Sequence, residues 1–246
     1  MRALRPLRGA WRLLRTLIHV GHGMAIVALS WRWLDEAARQ RRIGWWASKL
    51  LHLLGIKIQS QGMCRPGASM LVANHVSWLD ILVIHALCPQ ARFVSKADVR
   101  HWPLLGWLVG AVGTLFIERE RKRDALRVVH QVAEALRLGH KVAVFPEGTT
   151  GNGVQLLPFH ANLLQAAVAT ATPIQPLALS YTEPGHAVSP AVTWLGATTL
   201  LHSLWAIACA EGLAVRVVLL PALSSAHADR RALASRLREL IAQALP

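Results

Sequence analysis

The chain has 246 residues, 53% of them hydrophobic and 16% charged, enough to bury a sizeable core in one large α/β domain. A net charge of +14 favours polyanions: nucleic acid, anionic lipid or an acidic carrier. High hydrophobicity, ten Trp against one Tyr, and no RNA-reading motif set nucleic acid aside in favour of lipid, because Trp suits the membrane–water interface. Cys64, Cys88 and Cys209 are widely spaced, with no Cys-x-x-Cys and no zinc-ligand spacing. They read as reduced, mostly buried thiols in a protein facing the cytoplasm.

The chain opens with Arg2, Arg5, Arg8, Arg12 and Arg15 interleaved with Leu and Trp, a basic amphipathic start. Leu17 to Trp31 then carries no Asp, Glu, Lys or Arg. That run is about 15 residues, or roughly 22 Å of helix, short of the ~20 residues of a clean span. Trp31-Arg32-Trp33 is a poor cleavage site for a signal peptide. Arg32, Arg39, Arg41 and Arg42 balance the basic start, so charge gives no orientation. A second apolar patch, Ile43 to Ile56, contains Trp45, Trp46, Leu50, Leu51, Leu53 and Leu54. The expectation is that residues 1–56 form amphipathic or re-entrant helices dipping into one leaflet. Residues 57–246 are then the catalytic domain.

From residue 67 the pattern alternates between strands and helices. Predicted strands are 70–73, 92–95, 114–118, 142–145, 174–181 and 215–220. Predicted helices are 78–87, 104–112, 121–138, 161–170, 198–210 and 227–244, the third stopped by Gly139. The alternation predicts an α/β fold with a mixed central sheet flanked by helices. The uncharged stretch 196–210 reads as a core-packed helix, since Thr198, Thr199, His202 and Ser203 punctuate it.

Two short motifs follow predicted buried strands: Asn74-His75-Val76-Ser77-Trp78-Leu79-Asp80 and Phe145-Pro146-Glu147-Gly148-Thr149. Structurally, Ser77-x-x-Asp80 is a capping box at a helix start. Functionally, residues five apart on one helix point about 140° from each other. His75 and Asp80 therefore meet only if His75 lies in the turn before the helix and Asp80 in its first turn. Asp80 then accepts from one imidazole nitrogen and leaves the other for substrate. With no Gly-x-Ser-x-Gly elbow and no cysteine nearby in sequence, the base acts on a substrate hydroxyl directly.

With these motifs the chain resembles the glycerolipid acyltransferase family, the lysophosphatidate (1-acylglycerol-3-phosphate) and lysophospholipid acyltransferases. Four motifs run in order: His75 to Asp80; Gly113-Thr114-Leu115-Phe116-Ile117-Glu118-Arg119; Phe145 to Thr149; and Pro173-Ile174-Gln175-Pro176. The segments 93–96 and 102–107 are similar too, and the likeness spans about residues 43–220. It implies His75 as general base, Asp80 as its orienter and Arg119 on the acceptor's anionic headgroup, with Lys96 a second headgroup candidate. It also implies that Glu147, Gly148 and Thr149 help form the acceptor site. By position alone, Arg119 is a surface arginine beside Arg121, Lys122 and Arg123. The chain departs from the family at Gly151-Asn152-Gly153 and at Pro158-Phe159-His160-Ala161-Asn162, which lacks the usual basic and glycine residues.

The expected activity is transfer of a fatty acyl chain to a lysolipid hydroxyl, first of all 1-acylglycerol 3-phosphate to phosphatidate, with lyso-ornithine lipid or another lysophospholipid as the alternative acceptor. The donor is an acyl-CoA or acyl carrier protein thioester, with no cofactor and no metal. The expected location is the cytoplasmic face of the inner membrane, among anionic lipid and apart from nucleic acid. A non-enzymatic anionic-lipid adaptor is the reading from another class; it leaves both motifs without a purpose.

Overall fold

The computed structural model describes residues 5–96, 105–117 and 122–246. In chain order the elements are α1 (Arg5–Leu29), a 3-10 turn (Trp31–Trp33), α2 (Glu36–Leu53), β1 (Lys57–Gln61), β2 (Ser69–Ala73), α3 (Leu79–Leu87), β3 (Ala91–Lys96), α4 (Leu105–Ala111), β4 (Leu115–Ile117), α5 (Lys122–Arg137), β5 (Lys141–Val144), α6 (Leu164–Ala169), β6 (Ile174–Thr182), α7 (Leu200–Cys209), β7 (Ala214–Leu219) and α8 (Arg230–Ala244).

The strands form one seven-stranded sheet in the order β1-β7-β6-β2-β5-β3-β4. Neighbours are parallel except β6 and β7, so the sheet is mixed, as expected. Side chains alternate across it, and each face buries its own core. Leu71, Ala73, Leu177 and Leu179 pack with Leu51 of α2 and Leu54 at its C-cap, Leu79, Val83 and Ile84 of α3, and Ile207 of α7. Met70, Val72, Val142 and Val144 pack on the other face with Val132 and Leu136 of α5, Leu164 of α6, and Leu237 and Ile241 of α8. Continuous burial along β2 and β5 is what parallel strands covered on both faces require. The six predicted strands are present; β1, an exposed edge strand on β7, is additional. The helix expected over 161–170 shortens to α6, and Asp229 caps α8 three residues later than its expected start at His227.

The amino-terminal helices differ from expectation in two ways. First, α1 takes in the arginine-rich start and runs for 25 residues. Second, Arg8 and Arg12 turn inward rather than toward lipid phosphates. Arg12 donates to the carbonyls of Ala208 (3.0 Å) and Ala210 (2.7 Å), and Arg8 to that of Cys209 (3.1 Å). A helix leaves its last carbonyls without intrahelical partners; two guanidinium groups of α1 satisfy them at the end of α7. Arg8 also pairs with Glu211 at 3.2 Å. Glycines allow the close approach: a Cβ on Gly9 falls 2.5 Å from Cys209 Sγ, and one on Gly23 falls 2.3 Å from Trp46 Nε1.

With Gly9, Thr16, His19 and Gly23 inward, α1 turns its large apolar side chains outward. Leu7, Trp11, Leu14, Leu17, Ile18 and Leu29 are all exposed, Leu7 at 69% and Ile18 at 66%. This is the reverse of a surface helix on a soluble core. Among the described residues no helix is long and apolar enough to cross a membrane. All three cysteines are free; Cys88 is buried, whereas Cys64 and Cys209 are only half-buried.

Candidate active site

Strands β2 and β5 are parallel neighbours, with Val72 opposite Val144. The chain therefore leaves both at the same sheet edge, and the two motifs emerge side by side. This is where parallel sheets usually place their sites. Asn74 anchors the first exit. Its side-chain amide donates to the Leu179 carbonyl (2.9 Å) and its oxygen accepts from the Leu179 N–H (2.8 Å), extending the ladder to β6.

His75 lies in the turn before α3, and Asp80 sits in the helix's first turn. The imidazole Nδ1 is 2.8 Å from Asp80 Oδ2. A carboxylate only accepts, so Nδ1 carries the hydrogen, and in the neutral ring Nε2 keeps the lone pair. The same Oδ2 accepts the backbone N–H of Val76 (2.7 Å) and of Ser77 (2.9 Å). The Ser77 bond is the reciprocal half of a capping box. The N-cap position itself falls on Trp78, and the Asp80 N–H bonds to the Ser77 carbonyl rather than to its hydroxyl, so Asp80 closes the turn before α3 as well as holding His75.

Tyr181 on β6 was missed by sequence reasoning. Its hydroxyl donates to Asp80 Oδ1 at 2.6 Å, fully buried. Burial, with the Asp80 charge beside it, raises the Tyr181 pKa well above that of free tyrosine, so it stays a donor. That it is the chain's one tyrosine, at the end of a long buried strand, was the available signal.

The second motif supports the first. Phe145 stacks on the His75 ring, with centroids 4.0 Å apart and planes 11° apart. Glu147 is buried, and both its oxygens are engaged: Oε1 accepts the His75 N–H (2.7 Å) and Oε2 the Leu157 N–H (2.9 Å). Burial raises its pKa, partly offset by those two donors. Glu147, expected as part of the acceptor site, spends its carboxylate on the main chain while lining the crevice beside His75. Gly148 takes φ +72 in the turn closed by its N–H on the Phe145 carbonyl (3.1 Å), a conformation glycine adopts without strain. Gly148 and Thr149 are exposed. The departure at Gly151 lies within the site: its N–H donates to the His75 carbonyl at 2.7 Å, and a Cβ there falls 3.4 Å from Glu147 Oε2. His160 also reaches it, with its ring 3.5 Å from where a Gly148 Cβ would stand.

The crevice beside His75 is lined by Asn74, Val76, Glu147, Gly151, Gly153, Gln155 and Leu156. Arg119 lies outside the described residues. Lys96 ends β3, and its side chain is likewise outside them. Among the described residues no group of three or more His, Cys, Asp or Glu side chains is placed to hold a metal ion.

A half-exposed histidine with one free nitrogen, held by a buried carboxylate at the edge of a mixed sheet, is an arrangement able to move a proton. The Acyltransferase family model matches residues 55–180, and the chain belongs to that family. It is 36% identical over 253 residues to the lyso-ornithine lipid O-acyltransferase of Pseudomonas aeruginosa, covering 100% of this chain and 95% of that protein. It is 34% identical over 191 residues to the 1-acyl-sn-glycerol-3-phosphate acyltransferase of Neisseria meningitidis, covering 76% and 73%. The fold matches the crystal structure of the 1-acyl-sn-glycerophosphate acyltransferase PlsC of Thermotoga maritima, with a TM-score of 0.71 at 19% identity, over 100% of this chain and 96% of that one.

Proposed function

We propose that the protein is a lysolipid O-acyltransferase in which His75 is the general base. The observation that carries this is the Nδ1–Asp80 bond, which leaves Nε2 basic and directed away from its anchor. Nε2 takes the proton of the acceptor hydroxyl as that oxygen attacks the thioester carbonyl. Backbone donors near the second and third motifs stabilise the oxyanion. The intermediate collapses, the C–S bond breaks, and the thiolate takes the proton from the imidazolium. No covalent acyl-enzyme, metal or cofactor enters; an acyl-CoA or acyl carrier protein thioester supplies the chain. Asp80 and Tyr181 hold the base in register, and Arg119 grips the anionic headgroup.

The acceptor order expected from sequence changes. A relative 36% identical over the whole chain is named for lyso-ornithine lipid, and the chain departs from the family pattern at Gly151, in contact with His75. We rank lyso-ornithine lipid first and 1-acylglycerol 3-phosphate second. The outward apolar face of α1 supports work at a membrane surface, on the cytoplasmic leaflet where thioesters are made.

The test offers both lysolipids together with a thioester donor and identifies products by mass spectrometry. The expected result is esterified product with wild type and none with His75→Ala, whose unfolding transition stays within a few degrees. Wild-type-like turnover by that variant would sink the mechanism. Phosphatidate as the dominant product would restore the original acceptor order.

A further inference from the structure

The amino-terminal helices enclose a second site, away from the two motifs. Between α1 and α2 lies a cleft of about 320 Å³ lined by Arg15, Ile18, His19, His22, Lys49 and Leu53. Four of these six carry nitrogen groups able to bear positive charge, and none is acidic. No ion pair among the described residues involves Arg15 or Lys49. Exposed groups of one sign around one hollow raise the local potential and attract an anion.

The surroundings say where that anion comes from. Ile18 and His22 belong to the outward face of α1, in line with Leu7, Trp11 and Leu14. Trp45, 44% exposed, sets its ring edge-on to both His19 and His22, with centroids 5.4 and 5.7 Å apart. Trp at such a rim sits at headgroup depth, with Arg and Lys reaching lipid phosphates. The inner wall is rigid: His19 Nε2 donates to the Trp46 carbonyl (3.0 Å), and Trp46 Nε1 donates back to the His19 carbonyl (3.2 Å).

We propose that the α1–α2 cleft is a binding site for the phosphate headgroup of an anionic phospholipid of the host leaflet, distinct from the acceptor site at His75. Arg15 and Lys49 hold the phosphate, His22 adds a donor, and the acyl chains lie along Ile18 and the outer face of α1. The inference rests on the membrane-surface part of the reading above.

The test compares the full-length protein with Arg15→Gln/Lys49→Gln and with Arg41→Gln/Arg42→Gln. The second pair is exposed on α2 outside the cleft and removes the same charge. Sedimentation is measured with vesicles of pure phosphatidylcholine and with vesicles holding about one-third phosphatidylglycerol. Wild type should gain about tenfold in affinity from phosphatidylglycerol. The cleft variant should lose most of that gain while still binding phosphatidylcholine, and the control should keep most of it. Equal losses in the two variants would mean diffuse surface charge and overturn the site, as would no loss in either. Equal stabilisation of wild type by inorganic phosphate at constant ionic strength, lost in the cleft variant, would assign the cleft to a free anion and overturn the lipid. Failure of wild type to bind any vesicle would instead refute the membrane reading beneath it.

Discussion

Glu147 accepts the backbone N–H of His75 at 2.7 Å, so the carboxylate of one motif fixes the main chain of the other 72 residues away. Glu147→Gln replaces one of its two acceptors with a donor facing a backbone N–H. The expected result is a kcat lower by about 10- to 100-fold, since small displacements of a base are costly. The KM for the lysolipid should change far less. A raised KM with unchanged kcat would show Glu147 touching the acceptor after all.

Asp80→Asn should damage stability and catalysis together. Its Oδ2 serves His75, Val76 and Ser77 at once, and an amide cannot accept all three while its NH₂ faces the Tyr181 hydroxyl. Loss of about 2–4 kcal/mol is expected, from a buried cap plus an unsatisfied donor. Activity should fall by orders of magnitude as the imidazole loses its orienter. Tyr181→Phe separates the effects: it leaves the Oδ2 bonds intact, so about 1–3 kcal/mol is lost in denaturant unfolding with a smaller fall in kcat. Equal kcat losses in both variants would place Tyr181 closer to the chemistry than its buried position implies.

Arg12→Ala should destabilise the enzyme in detergent by about 1–3 kcal/mol, because it strips donors from two carbonyls at the end of α7. Removing residues 1–42 should accordingly cost the fold itself as well as the membrane contact. A truncated protein with an unchanged melting temperature would contradict this packing.

His85 gives the molecule an acid-sensitive point. It is 5% exposed, its Nδ1 has no hydrogen-bond partner among the described residues, and burial lowers its pKa from 6.5 to about 4. Between those values the unfolded chain binds a proton that the folded chain refuses, so stability falls as pH falls through that window. The full interval is worth about 3 kcal/mol, and the dependence ends below about pH 4. His85→Leu should flatten melting temperature against pH between 6.5 and 4. An unchanged slope would exclude His85 as its source.

The His75–Asp80 pair was legible because its spacing admits one geometry: a turn at His75 and a helix starting at Leu79 bring Asp80 back within 2.8 Å. The six core strands were legible from continuous apolar runs. Strand β1, Lys-Ile-Gln-Ser-Gln, was not, because an edge strand with one half-buried residue shows no alternation. Tyr181 and the inward Arg8 and Arg12 were invisible for another reason. Their partners lie 101 to 201 residues away, and no local pattern encodes such a contact. The arginines in particular looked like lipid-facing charge, because sequence gives their spacing on the helix and not which face the rest of the chain covers.

The pairing of Arg8 with Cys209 and Arg12 with Ala210 joins residues 201 and 198 positions apart. Helix α1 thus emerges from the ribosome well before its docking surface does. At roughly 5–20 residues per second it waits about 10–40 seconds. Strand β1 waits for β7 too, though over a shorter separation, with Lys57 opposite Ala214. On the membrane-surface reading proposed above, the bilayer covers the outward face of α1 throughout that interval and is its first partner in time, with α7 its second. Anchoring on that reading precedes folding, and the sheet closes on a chain already tethered.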